Sequence, residues 1–229
     1  MKAYRFLIFD IDDTLVDFRA SQVAALEEMR VQHYPRTDAA VFRATYDRVN
    51  HALWDAFNRG AIDQQAIRSR RFNETARELG LPEPDWRELG AAYEAALARH
   101  TVLYPGVLEA LTTLAARYRL GAVTNGLASV QKPKAIRTGL ARLLDPYVIS
   151  EDEGVAKPAA EIFRRCLARA NAVAQEALMI GDVWASDGAG AANAGIDFCW
   201  LCRDGAVRPS HLPEPVREIA AVPELLGWL

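Results

Sequence analysis

Short apolar runs recur along the chain, each closing on a turn, polar or acidic residue: FLIFD from Phe6, LGAVT from Leu120, ALMIGD from Ala177 and FCWLC from Phe198. All are too brief for helices and read as strands, with a weaker fifth in YVIS from Tyr147. Between the later runs lie helical patterns, LEALTTLAARY from Leu108 and EIFRRCLARA from Glu161. Strands that are apolar throughout and alternate with helices predict an α/β fold, a doubly wound parallel sheet covered on both faces. From about Val16 to about Thr101 the pattern changes: no comparable strand occurs, and SQVAALEEMR and QAIRSRRFNETARELG read as amphipathic helices. Gly80, Pro82 and Pro84 break two of these helices, while Tyr104, Pro105 and Gly106 mark the return to the sheet. The expected division is an α/β core of residues 1–15 and 102–229, with residues 16–101 inserted after the first strand as a helical domain.

The bulk numbers narrow the partners. A chain of 229 residues that is 51% apolar can build one sizeable core and a smaller appended domain. Its net charge of −3 and pI near 5.9 lack the basic excess that draws proteins to nucleic acid polymers or anionic membranes, so small molecules are the expected partners. The opening MKAYRFLIFDIDDTL is interrupted by acids too early for a signal peptide or a membrane span, and a soluble cytoplasmic protein, monomer or homodimer, is expected. Cys166, Cys199 and Cys202 are too few for a disulfide framework, and the CxxC within FCWLC reads as buried strand rather than as a redox or zinc site. None of His33, His51, His100 and His211 has zinc-enzyme spacing, and surface or core roles suffice for each. The small-residue run GAGAANAG from Gly188 has the look of a dinucleotide loop, but it follows an acidic turn instead of a strand; close packing of a helix on the sheet explains it better.

The chemistry gathers at strand ends. Asp10, Asp12 and Asp13 follow FLIF directly, at the carboxyl edge where open α/β sheets bind ligands. Alone they read more simply as a solvated turn with capping acids. In GDVWASD, Asp182 ends another apolar run and Asp187 follows five positions later; these too could be helix caps when taken singly. Two acid clusters at the ends of two strands of one sheet can converge, however, and their mutual repulsion is costly unless a cation holds them. All-oxygen ligands of this kind suit magnesium, Mg2+, which binds phosphate alongside. Thr124, closing LGAVT, and Lys157, in VAKP, are unremarkable individually. In order along the chain, Asp, Thr, Lys and paired Asp supply a nucleophile, anion binders and a metal site for a phosphoryl group.

The motifs FDIDDTL, VTNG, AKPAAEIF and GDVWASD resemble, in type and order, the four motifs of the haloacid dehalogenase superfamily of phosphohydrolases. Together with LWDAFNRGAI, SRRF and ISEDEGVAKP, the whole chain looks most like that superfamily's pyrimidine 5'-nucleotidase branch. The VTNG wording, shared with the phosphatase of acylneuraminate 9-phosphate, keeps sugar-phosphate phosphatases of that kind or of the phosphoglycolate kind as alternatives.

The resemblance implies hydrolysis of a small phosphomonoester, with Asp10 as nucleophile forming an aspartyl-phosphate and Asp12 as general acid and base. It implies Thr124, Asn125 and Lys157 on the phosphate, and Mg2+ held by Asp10, the Asp12 carbonyl and Asp182, with Asp187 steadying the site. An acid at position 12 favours a phosphatase over a haloacid dehalogenase, whose leaving halide needs no proton. The insertion looks like the cap of such enzymes, in which Trp54, Phe57, Arg68, Arg71 and Phe72 could meet a base or sugar; helical spacing reads the aromatics first as cap core and the arginines as solvated. The rival from another class is a phosphoacceptor receiver domain, which is shorter and carries no large insertion after its first strand.

Overall fold

The computed structural model describes residues 4–203 and 214–229; His211 lies outside them. In chain order the elements are β1 (Phe6–Phe9), α1 (Phe18–His33), α2 (Ala39–Asn58), α3 (Gln64–Glu78), α4 (Trp86–Arg99), α5 (Val107–Ala115), β2 (Arg119–Thr124) and α6 (Ala128–Thr138). They continue with β3 (Tyr147–Ile149), α7 (Ser150–Glu153), α8 (Ala160–Ala170), β4 (Ala177–Gly181), α9 (Ala189–Ala194), β5 (Asp197–Leu201) and β6 (Arg217–Ile219). The six strands form one sheet in the order β3-β2-β1-β4-β5-β6, and every pairing is parallel. A parallel sheet needs apolar residues on both faces because helices cover both. Leu7, Phe9, Leu120, Leu178 and Ile180 face one core with Leu111 and Leu114 of α5, while Phe6, Ile8, Val123 and Met179 face another with Phe163 and Cys166 of α8. Alternate side chains of a strand point to opposite faces, so a run that is apolar throughout is what such a position requires. β6, a three-residue edge strand with two exposed positions, is not among the strands expected from the apolar runs.

Strand order reverses between β1 and β4. Successive strands after β1 are laid down on one side of it as β2 and β3, and the chain then crosses to pair β4 with its other edge. Such a switch point opens a crevice at the carboxyl ends of the two strands. The register sets Phe9 opposite Ile180, so Asp10 emerges beside Gly181 with Asp182 one residue further along, and the Asp10 amide donates to the Ile180 carbonyl at 2.9 Å.

The chain divides into two units, Met1–Phe18 with Thr101–Leu229, and Arg19–His100. The second is all helical. Asp38, Asp63 and Asp85 cap α2, α3 and α4, their side chains accepting from the Val41, Ala66 and Arg87 amides at 2.8–2.9 Å. The helix break at GLPEP falls between α3 and α4, with Gly80 in the left-handed region at φ 65°. Tyr46, Phe72 and Tyr93 form its aromatic centre, with ring centroids 5.1–5.5 Å apart. Trp54 and Phe57 pack edge to face beside Val49, Leu53 and Ile67. One expectation is corrected: Arg71 is buried, with 3% of its side chain exposed, and bonds Glu94 of α4 at 2.9 Å. Arg68 shares the same carboxylate at 3.0 Å. A buried anion across the helix pair draws the guanidinium inward, where leaving it in water would strand Glu94. None of the described helices is long and apolar enough to cross a membrane.

Candidate active site

The carboxyl edge of the sheet brings together residues distant in sequence. Asp10, only 6% exposed, accepts from Lys157 Nζ at 2.5 Å, and the same ammonium donates to Asp187 Oδ1 at 2.6 Å. Asp187 is wholly buried on the short π-helical turn Trp184–Gly188, where its other oxygen accepts from the Val183 amide at 3.1 Å. Asp182 Oδ1 accepts from Thr14 Oγ1 at 2.9 Å, and its carbonyl accepts from Trp200 Nε1 at 2.9 Å. One oxygen from each of Asp10, Asp182 and Asp187 lies within 4.8 Å of the others. Gly181 makes room for this cluster: a Cβ there would stand 2.3 Å from Asp187 Oδ2.

Thr124 and Asn125 sit at the end of the neighbouring strand. Thr124 ends β2 and is buried, and Asn125 clamps the backbone of Lys157, its amide donating to the Lys157 carbonyl at 2.9 Å while its Oδ1 accepts from the Lys157 amide at 2.8 Å. The side chain of Asn125 therefore fixes the lysine loop, a task the sequence reading, which gave it a phosphate contact through the backbone, did not contain. Asp12 turns toward α6. Its Oδ2 accepts from Gln131 Nε2 at 2.7 Å and its Oδ1 pairs with Lys134 Nζ. Asp13 adopts positive φ, 57°, and its carboxylate accepts from the Phe18 amide at 3.1 Å, so it closes the loop rather than joining the cluster. Thr14, Gln131 and Lys134 were missed in the sequence; the signal available was the Gln131–Lys134 spacing of three, one helical face, immediately after VTNG.

The other candidates resolve simply. Cys199 is buried in β5 and Cys202 lies just past its end, and neither is in a disulfide. Gly188 and Gly190 allow close packing, since a Cβ on either would meet Trp184 at 2.2 Å or Phe163 at 2.4 Å. His33 and His51 are exposed, and His100 pairs with Glu28 at 2.9 Å.

The cluster is electrostatically strained. Burial, joined by the charges of Asp187 and Asp182 and opposed by Lys157, raises the Asp10 carboxyl well above its ordinary range. Burial and then Asp187 push Asp182 up to about 7, against the Thr14 hydrogen bond. Burial would lower Lys157, but the Asp10 and Asp187 carboxylates outweigh it and raise its ammonium. Three carboxylates gather where one lysine pairs with two of them, leaving an excess of acid groups among hard oxygen donors, and a divalent cation such as Mg2+ fits that donor set.

A helical domain inserted after the first strand of a switched parallel sheet, with acids just past β1 and β4 and a lysine paired to two of the clustered carboxylates, defines a class of hydrolase. The model of the haloacid dehalogenase-like hydrolases matches residues 4–195. Pyrimidine 5'-nucleotidase YjjG of Escherichia coli (strain K12) is 33% identical over 96% of this chain and 95% of its own. Pyrimidine 5'-nucleotidase PynA of Streptococcus pneumoniae is 30% identical over 99% of this chain and 95% of its own. The magnesium-bound crystal structure of the HAD-hydrolase YfnB from Bacillus subtilis superposes with a TM-score of 0.89 at 32% identity, covering 100% of this chain and 99% of that one. The chain belongs to the haloacid dehalogenase-like hydrolase family and is an enzyme of its phosphatase group.

Proposed function

We propose that the chain is a magnesium-dependent phosphatase acting on pyrimidine nucleoside 5'-monophosphates through an aspartyl-phosphate on Asp10. The observation that carries the reading is the buried Asp10 carboxylate at the switch point, held by Lys157 beside Asp182 and Asp187. Asp10 attacks phosphorus, which splits one hard displacement into two easier ones. Asp12 protonates the departing alkoxide and then takes a proton from the water that hydrolyses the intermediate. Thr124, the Asn125 backbone and Lys157 bind the phosphoryl oxygens, whose charge spreads in a loose transition state. Asp10, the Asp12 carbonyl and Asp182 would hold the ion, with Asp187 steadying them through Lys157 and the Val183 amide. When bound, Mg2+ supplies positive charge that offsets the phosphate and the clustered acids. Residues 16–101, in the position of a family cap, are assigned the choice of substrate. YjjG and PynA, similar along nearly their whole length, support the pyrimidine nucleotide assignment.

The test is phosphate release from dUMP, dTMP, UMP and a set of sugar phosphates, with and without Mg2+. Turnover of the pyrimidine nucleotides that stops on chelation is expected. Efficient hydrolysis of sugar phosphates with the nucleotides untouched would remove the substrate assignment.

A further inference from the structure

We infer that Lys134 and Gln131 of α6 are positioning residues for Asp12, holding its carboxylate at both oxygens so that one acid serves both proton transfers. This rests on the acid–base role proposed for Asp12. Gln131 Nε2 donates to Oδ2 at 2.7 Å and Lys134 Nζ pairs with Oδ1, so the carboxylate plane is fixed from two sides. Both donors belong to one face of α6, three residues apart, and both are nearly inaccessible, with Gln131 2% and Lys134 1% exposed. Gln131 is itself held, accepting from the Tyr147 hydroxyl of β3 at 3.3 Å. Gly126 is what lets Gln131 lie there, since a Cβ at that position would be 2.6 Å from Gln131 Nε2. Lys134 also has its ammonium 5.4 Å from the centroid of the Phe18 ring.

A buried lysine is an expensive way to support a fold. Its carboxylate partner among the described residues is Asp12, which is itself only part buried, with 26% of its side chain exposed. The pair is therefore asymmetric: the lysine depends on the aspartate, while the aspartate keeps an open side toward solvent. An acid that gives a proton to the leaving oxygen becomes a carboxylate in the same step, and the ammonium and amide beside it keep its plane in place through the change. The carboxylate then accepts a proton from water, whose oxygen bonds to phosphorus as the bond to Asp10 breaks. A freely rotating carboxylate would lose orientation between the two transfers.

Lys134→Met and Gln131→Met, with Lys134→Arg as the conservative rescue, are assayed on a nucleoside 5'-monophosphate and on p-nitrophenyl phosphate, the latter by rapid mixing. With the nucleotide, kcat should fall about 10- to 100-fold, a fraction of what general acid–base catalysis supplies, while KM changes less than about threefold. Nitrophenolate leaves without a proton. The first turnover of the aryl ester should therefore stay within about threefold of wild type and be followed by slow hydrolysis of the phosphorylated enzyme. Lys134→Arg should recover part of the loss. Equal slowing of the first turnover for both esters, no slowing of either, or loss of the folded circular dichroism in both Met variants would overturn the inference. Wild-type enzyme that releases no phosphate from any ester would instead refute the function on which it rests.

Discussion

At the scale of single residues, the site is a problem of crowded charge solved by exact neighbours. Asp10→Asn keeps the size of the side chain and removes its negative charge, so phosphate release should vanish while circular dichroism is unchanged; surviving turnover would dismiss the covalent step. Gly181 carries a subtler constraint. Gly181→Ala would drive a methyl group to 2.3 Å from Asp187 Oδ2, and the acid must shift or the strand must. Activity should drop at least about tenfold with a loss of roughly 1–3 kcal/mol in urea denaturation, and a fully active, fully stable variant would show that Asp187 needs no fixed place. Asp10 and Asp182 were legible only as a pair, because either acid alone reads as a turn or cap, whereas two acid clusters at the ends of two strands of one sheet call for a cation. Lys134 was not: a lysine on a helix between Lys132 and Arg137 looks like solvated surface until the carboxylate it meets, 122 residues earlier, is known.

At the scale of elements, apolar periodicity did most of the work. β1, β2, β4 and β5 could be read because buried parallel strands are apolar on both faces, whereas β6, with the burial of a single residue to declare it, could not. The break between α3 and α4 was legible for the opposite reason, since glycine and proline prescribe backbone shape locally. Within the helical unit, the pairing of α3 with α4 through Arg71, Arg68 and Glu94 escaped notice because an arginine's surroundings depend on which helix lies against it. Glu94→Ala would leave the Arg71 guanidinium buried without that anion. A loss of about 3 kcal/mol is expected in chemical denaturation, larger than for the double variant Glu94→Ala/Arg71→Leu; equal losses would mean that the ion pair contributes no coupling.

At the scale of the whole molecule, the acidic cluster ties stability to pH and, in the proposed function, to metal. Asp182, raised from 3.8 to about 7, binds its proton more tightly folded than unfolded. Between those values the folded state carries more protons, so stability of the metal-free protein falls as pH rises from about 4 to about 7 and levels off above. In the proposed magnesium site, the ion would compete with those protons for the same oxygens. Its addition should therefore raise Tm more at about pH 8 than at about pH 5, measured by differential scanning fluorimetry; an equal rise at both would mean that the ion does not sit among these acids.

The sequence by itself determined the alternation of strands and helices, the insertion after the first strand, and the order of Asp10, Thr124, Lys157 and Asp182 at strand ends. These are set by local periodicity and by the order in which individually ordinary residues recur after apolar runs. Only the tertiary structure decided who touches whom: that Lys157 lies between Asp10 and Asp187, that Asn125 clamps its loop, and that Gln131 and Lys134 face Asp12. Such contacts join residues tens to more than a hundred positions apart, and no local pattern records them, because the burial that makes a charge costly or useful exists only after the sheet has closed around it.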